Sequence, residues 1–181
     1  MSEGEIKQLE TADESIIDED CYMQVIFKKT ATLLSACAEI GAISANATEH
    51  EIEVLKRFGE YLGYSFQIKD DIFDYFHNLN IGKPTGNDIR EGKITLPLLY
   101  ALRSGGEEAE NFRRIILEKD FTTENIESLI EFAKAKGGIE YAESRMREFY
   151  NKALAELDSL KDSPARQGLK DLAEYVIERK K

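Results

Sequence analysis

The sequence predicts an all-α fold, a helical bundle. Three observations carry this: a Glu-, Lys-, Leu- and Ala-rich composition, only 3 Pro among 181 residues, and apolar residues that recur at three- and four-residue steps over long segments. With 42% hydrophobic and 33% charged residues, the chain has the balance of a globular protein rather than a disordered one. No composition shift, internal repeat or low-complexity tract divides it, so residues 1–181 read as one all-helical domain.

The elements follow in order. Ser2 to about Leu9 reads as a helix end, and Glu10–Glu14 as a polar connector. A helix begins near Asp18 or Asp20 and runs to about Gly41, with Tyr22, Val25, Ile26, Leu33 and Ile40 as its apolar stripe. Thr48-x-x-Glu51 has the form of a capping box and opens a long helix from Glu49 to His77. From Leu79 to Lys93 the helical period stops, and Gly82, Pro84, Gly86 and Gly92 crowd into a loop. Helical patterns resume over 95–103, 107–119, 123–136, 139–160 and 164–180. They are punctuated by Gly105-Gly106, by Gly137-Gly138, and by Ser163-Pro164 as N-cap and first helical residue.

Charge narrows the function. The net charge of -11 argues against a general nucleic-acid binder, which needs cationic surface. No apolar run approaches the roughly 18–20 residues of a membrane-spanning helix. Met1-Ser2-Glu3-Gly4-Glu5 is too acidic and polar for a signal peptide. Cys21 and Cys37, 16 positions apart on one predicted helix, would lie about 24 Å apart and cannot pair within it. Free thiols point to the cytoplasm.

The sharpest motif is Phe66-Gln67-Ile68-Lys69-Asp70-Asp71-Ile72-Phe73-Asp74. At helical spacing Gln67, Asp70, Asp71 and Asp74 fall within an arc of about 100°, with Lys69 opposite. The strip holds no cation of its own and would repel itself. The chain has 24 Glu and 11 Asp, yet all three acids here are the poorer helix former. Short carboxylates suit a hard cation such as Mg²⁺, which takes one or two of them with water and phosphate oxygens. The residues alone leave a solvated acidic face open as the alternative. Downstream, the glycines of 82–93 would let backbone amides approach an anion, and Lys83 and Lys93 supply charge. Lys28-Lys29-Thr30 interrupts an otherwise apolar helix.

Taken together, these motifs resemble the trans-isoprenyl diphosphate synthases, the polyprenyl synthetase family. Phe66-Gln67 with Asp70-Asp71-x-x-Asp74 is similar to the family's second aspartate-rich motif, and Lys29-Thr30 to its Lys-Thr pair. Gly82-Lys83, Gly86, Asp88 and Glu91-Gly92-Lys93, followed by Thr95-Leu96-Pro97, resemble its downstream loop. The family's first aspartate-rich motif and its Gly-Lys-x-x-x-Arg segment have no match here, so the chain resembles the C-terminal half of a synthase. The resemblance implies an isoprenoid-synthase-type bundle and a Mg²⁺-dependent prenyltransferase that condenses an allylic diphosphate with isopentenyl diphosphate. It implies metal ligation by Asp70, Asp71 and Asp74, and diphosphate contacts from Lys29, Lys83 and Lys93. Thr30 and Gln67 would act near the reacting carbons, and Phe66 would line the pocket. With one aspartate motif, the chain alone is expected not to elongate prenyl chains. It is also expected to form a homo-oligomer. The alternative is a non-catalytic regulatory or scaffold subunit of a prenyl synthase.

Overall fold

The computed structural model describes residues 18–76 and 85–180. The expected helix end at 2–9, the connector at 10–14, His77, Gly82, Lys83 and Pro84 lie outside the described residues. Among the described residues every regular element is helical: α1 (Glu19–Ile26), α2 (Thr32–Ser44), α3 (Glu49–Phe73), α4 (Asn87–Arg90), α5 (Leu96–Ser104), α6 (Glu108–Leu117), α7 (Thr123–Ala135), α8 (Gly138–Leu157) and α9 (Pro164–Glu178). None of these helices is long and apolar enough to cross a membrane.

Local chemistry explains the boundaries. Asp18 caps α1 by accepting from the amide of Asp20. The expected Thr48/Glu51 capping box forms, Thr48 Oγ1 accepting from Glu51 N at 3.3 Å and Glu51 Oε2 from Thr48 N at 2.8 Å. Ser163 caps α9, with Pro164 at its first position. Gly137 enters α8 at φ 76°. The long helix ends at Phe73 rather than at His77, and the loop expectation for 79–93 is corrected by the short helix α4.

α1 and α2 form one continuous helix interrupted by a π-helical turn over Phe27–Ala31, in which the amide of Thr32 bonds the carbonyl of Phe27. This turn corrects the expected stripe. Tyr22, Val25 and Ile26 are buried, but the turn itself buries Ala31 and the helix beyond it buries Ser35 and Ala42. Leu33 and Ile40 stand 49% and 62% exposed. A π turn adds a residue to the helix, so every later side chain is rotated off the register that a uniform 3.6-residue period assigns.

α3 is the central element. It packs along α8 on one side and α2 on another, and α9 crosses α8 and α3. α5 packs on α7 and α8. Ile26, Ile68, Ile72, Tyr75, Leu98, Leu102, Leu129 and Met146 belong to the larger core. Phe58, Leu62, Ala153, Leu157, Ala173 and Val176 form a second one where α3, α8 and α9 meet. Ser65, buried on α3, donates to the Met146 carbonyl of α8 at 2.9 Å. The approach of α3 to the π turn depends on Gly63, where an added Cβ would lie 2.5 Å from the Ala31 Cα.

Because that neighbour is backbone, Gly63→Ala is expected to push the two helices apart and cost about 1–3 kcal/mol. Gly168→Ala in α9, with nothing within 4 Å of the added Cβ, is expected instead to stabilise by about 0.5–1 kcal/mol. Urea denaturation followed by circular dichroism measures both. Equal effects of the two substitutions would contradict the close approach.

Candidate functional site

The three aspartates sit at the C-terminal end of α3, and the structure gives each a different partner. Asp71 turns inward and is buried. Its Oδ2 accepts from the Tyr22 hydroxyl at 2.7 Å and its Oδ1 from Gln67 Nε2 at 2.9 Å. Thr30 Oγ1 in turn donates to Gln67 Oε1 at 2.5 Å. The π turn therefore carries Thr30 to the amide one helical turn before Asp71. π turns recur at functional sites for this reason: the local widening re-aims side chains.

Asp74 lies just beyond α3 as its C-cap. Its carboxylate accepts from the amides of Asn87 and Asp88 at 3.1 and 2.9 Å, at the start of α4. Its carbonyl accepts from Gly86 N at 2.9 Å. Gly86 takes φ 74°, a left-handed conformation that glycine adopts without steric cost. This seats α4 against the end of α3 and places Asp88 beside Asp74. Asp70 takes a third partner, from the far end of the chain. Its Oδ1 accepts from Arg179 Nη2 at 2.6 Å, and that guanidinium stacks 4.1 Å from the Phe66 ring centroid and 5.5 Å from that of Phe73.

The strip expected to hold no cation thus meets one from the far end of the chain. A basic side chain at a helix C-terminus ordinarily serves its own helix end. Arg179 does donate from Nε to the Val176 carbonyl, but Nη2 also reaches Asp70 and the Phe66 carbonyl. No spacing rule links positions 109 residues apart. Tyr22 was missed as well, because a tyrosine at helical spacing reads as core.

Electrostatics single out the inner acids. Burial, and then the charge of Asp88, push the Asp71 carboxyl up to about 7, although Tyr22, Gln67 and Lys29 work against the rise. Burial and the neighbouring Asp74 raise Asp88. Burial and the Asp71 charge raise the Tyr22 phenol well above its ordinary value. Lys29 acts on Asp71, Asp88 and Glu91, and Lys93 on Asp88 and Glu91. Lys93 forms an ion pair with Glu91 at 2.5 Å. Of the predicted site residues, Lys29, Thr30, Gln67, Asp71, Asp74 and Lys93 meet around the junction of the π turn, α3 and α4. Phe66 and Asp70 lie on the Arg179 side, and Lys83 is outside the described residues.

As arranged, no three Asp, Glu, His or Cys side chains among the described residues converge into a metal-binding group. The donor chemistry nevertheless fits a hard cation. Among the described residues Asp71 is a buried carboxylate held by two neutral hydrogen-bond donors, and Asp74 and Asp88 add charge beside it. A groove of about 570 Å³ near the other end of α3, lined in part by Ala38, Ala42, Leu55, Phe58 and Leu169, contains none of these acids.

This helical frame, with an aspartate-rich helix end beside a Lys-Thr turn, defines a class that the comparisons identify. The polyprenyl synthetase family profile matches residues 1–133, and the chain belongs to that family. It is 38% identical over 180 residues to the octaprenyl diphosphate synthase of Escherichia coli, a match covering 99% of this chain and 56% of the relative. The geranylgeranyl pyrophosphate synthase from Bacteroides thetaiotaomicron superposes with a TM-score of 0.90 at 45% identity, covering 98% of this chain and 59% of that one. The polyprenyl synthase from Caulobacter crescentus, solved with calcium and isoprenyl diphosphate, superposes with a TM-score of 0.91 at 32% identity, covering 98% and 55%. The chain spans about half the length of the curated relatives it matches.

The Asp71 environment has a sign that can be measured. Its proton is held more tightly in the folded chain than in the unfolded one, where the group titrates near 3.8. The contribution of protonated Asp71 is full below about pH 4 and is lost as pH rises through about 7. The stability of Asp71→Asn relative to the parent is therefore expected to rise between pH 4 and 8 in urea titrations. A pH-independent difference would contradict this.

Proposed function

We propose that this chain carries the aspartate and lysine side of a Mg²⁺-dependent prenyl diphosphate site, within a prenyltransferase that condenses an allylic diphosphate with isopentenyl diphosphate. The observation that carries the reading is the meeting of Asp71, Asp74 and Asp88 with Lys29 and Lys93 where the π turn, α3 and α4 join. Asp70, Asp71 and Asp74 would hold the cation, which supplies charge neutralisation for a departing diphosphate. Lys29 and Lys93 bind diphosphate oxygens, a role that the family resemblance implies for Lys83 as well. Thr30 and Gln67, already bonded to each other, orient the substrate near the developing allylic charge, and Phe66 forms part of the wall. The family membership and the Caulobacter crescentus protein's complex with calcium and isoprenyl diphosphate support this assignment.

The chain contains a single Asp-Asp-x-x-Asp motif. Electrostatic stabilisation of developing charge is usually the largest catalytic term. On its own the chain therefore binds diphosphate without elongating prenyl chains. Isothermal titration with inorganic pyrophosphate is expected to show Mg²⁺-dependent binding that Asp71→Ala and Lys29→Ala each weaken about tenfold or more, as loss of about 1.4 kcal/mol implies. Incubation with farnesyl diphosphate and labelled isopentenyl diphosphate is expected to yield no extractable labelled product. Turnover abolished by Asp70→Ala would show that the chain is a working enzyme by itself.

A second reading, a non-catalytic regulatory or scaffold subunit, draws on the apolar face of α2. Leu33, Ile40 and Ile43, on one side of that helix, are 49%, 62% and 55% exposed. A row of this kind favours association, and homo-oligomers are the commonest assemblies. Sedimentation at micromolar concentration is expected to show a species larger than one chain, reduced to a monomer by Ile40→Glu. A monodisperse parent monomer would contradict this.

A further inference from the structure

We propose that Tyr22 is a positioning residue for Asp71, fixing its carboxylate in the orientation that receives a divalent cation. The inference rests on the reading of the α3 aspartates as cation ligands.

Tyr22 lies on α1, 49 residues before Asp71, and its ring is locked in the larger core with Ile68 and Ile72. From there the hydroxyl donates to Asp71 Oδ2 at 2.7 Å, while Gln67 Nε2 takes Oδ1 at 2.9 Å. The Gln67 amide is itself oriented, because Thr30 donates to its Oε1. Asp71 is therefore held at both oxygens by donors whose own positions are set by two other segments, α1 and the π turn. A carboxylate has about four lone-pair sites, and two donors leave half of them for a cation.

The chemical type of the donors gives the arrangement its meaning. A charge buried in a folded protein is ordinarily paired with an opposite charge or bound to a metal. Tyr22 and Gln67 are neutral, so they orient Asp71 without cancelling its charge, and charges acting on it across the junction include those of Asp88, Lys29 and Lys93. Hydrogen-bond partners behind metal-ligating carboxylates typically change metal affinity by about 10–100-fold when removed.

The test titrates the full chain with Mn²⁺ in the presence of inorganic pyrophosphate, following free Mn²⁺ by electron paramagnetic resonance. Tyr22→Phe is expected to raise the Mn²⁺ dissociation constant about tenfold. Placing 4-aminophenylalanine at position 22, whose para amino group keeps an N–H donor, is expected to restore it. Ser65→Ala, which removes a buried hydrogen bond elsewhere on α3, is expected to leave it unchanged. If Tyr22→Phe loses its helical circular dichroism, 4-fluorophenylalanine at position 22 fills the same volume without a donor and repeats the measurement. Wild-type affinity in the donor-less variants, alongside loss of binding in Asp71→Asn, would overturn the role of Tyr22 and leave the cation site standing. Equal weakening by Ser65→Ala, or failure of the amine to restore affinity, would reduce Tyr22 to a structural contact. Mn²⁺ binding that is absent, or indifferent to Asp71→Asn, would remove the cation site and the inference together.

Discussion

A buried carboxylate held by neutral hydrogen-bond donors is the constraint around which this molecule is arranged. Asp71 sits inside the bundle on α3. An isolated charge there costs several kcal/mol unless its oxygens are hydrogen-bonded. Two helical segments meet that demand. α1 brings the Tyr22 hydroxyl, and the π turn brings Thr30 against Gln67, so the amide nitrogen faces the acid. The turn that sets this contact also sets the packing, since Gly63 lets α3 lie against Ala31 within the same five residues. The chemistry of the site and the crossing of the two helices are one structural feature.

The remaining acids are distributed by the same logic. Asp74 satisfies the first amides of α4 and holds that short helix over the end of α3. This brings Asp88 in and concentrates negative charge beside Asp71. Asp70, half-exposed, is tied to Arg179, whose guanidinium lies over Phe66 and Phe73. That ion pair is partly open to solvent and contributes modestly to stability. Its effect is geometric, since it joins the end of α9 to the aspartate helix.

Much of the fold was legible because local signals agreed with one another. The capping box at Thr48, the Ser163-Pro164 start and the glycine stops each determine a backbone conformation within a few residues, and the helices begin and end within about three residues of those marks. The stripe through Leu33 and Ile40 failed because a π turn has no strong sequence mark, and one added residue rotates everything after it. The site was legible in part for a similar reason. Asp70-Asp71-x-x-Asp74 and Lys29-Thr30 are local patterns, whereas the bonds from Tyr22 and Arg179 span 49 and 109 residues.

The sequence by itself determined an all-helical chain, the helix that carries three aspartates, and the residue types suited to a divalent cation and a diphosphate. Helical period and side-chain chemistry are properties of neighbours along the chain, so no tertiary information was needed. Only the tertiary structure decided which aspartate is buried, which meets Arg179 and which caps α4. Those outcomes depend on which segments pack against the end of α3. Packing brings together residues far apart in sequence, and it is the low polarity of that packed interior, absent from any isolated helix, that raises Asp71 to about 7.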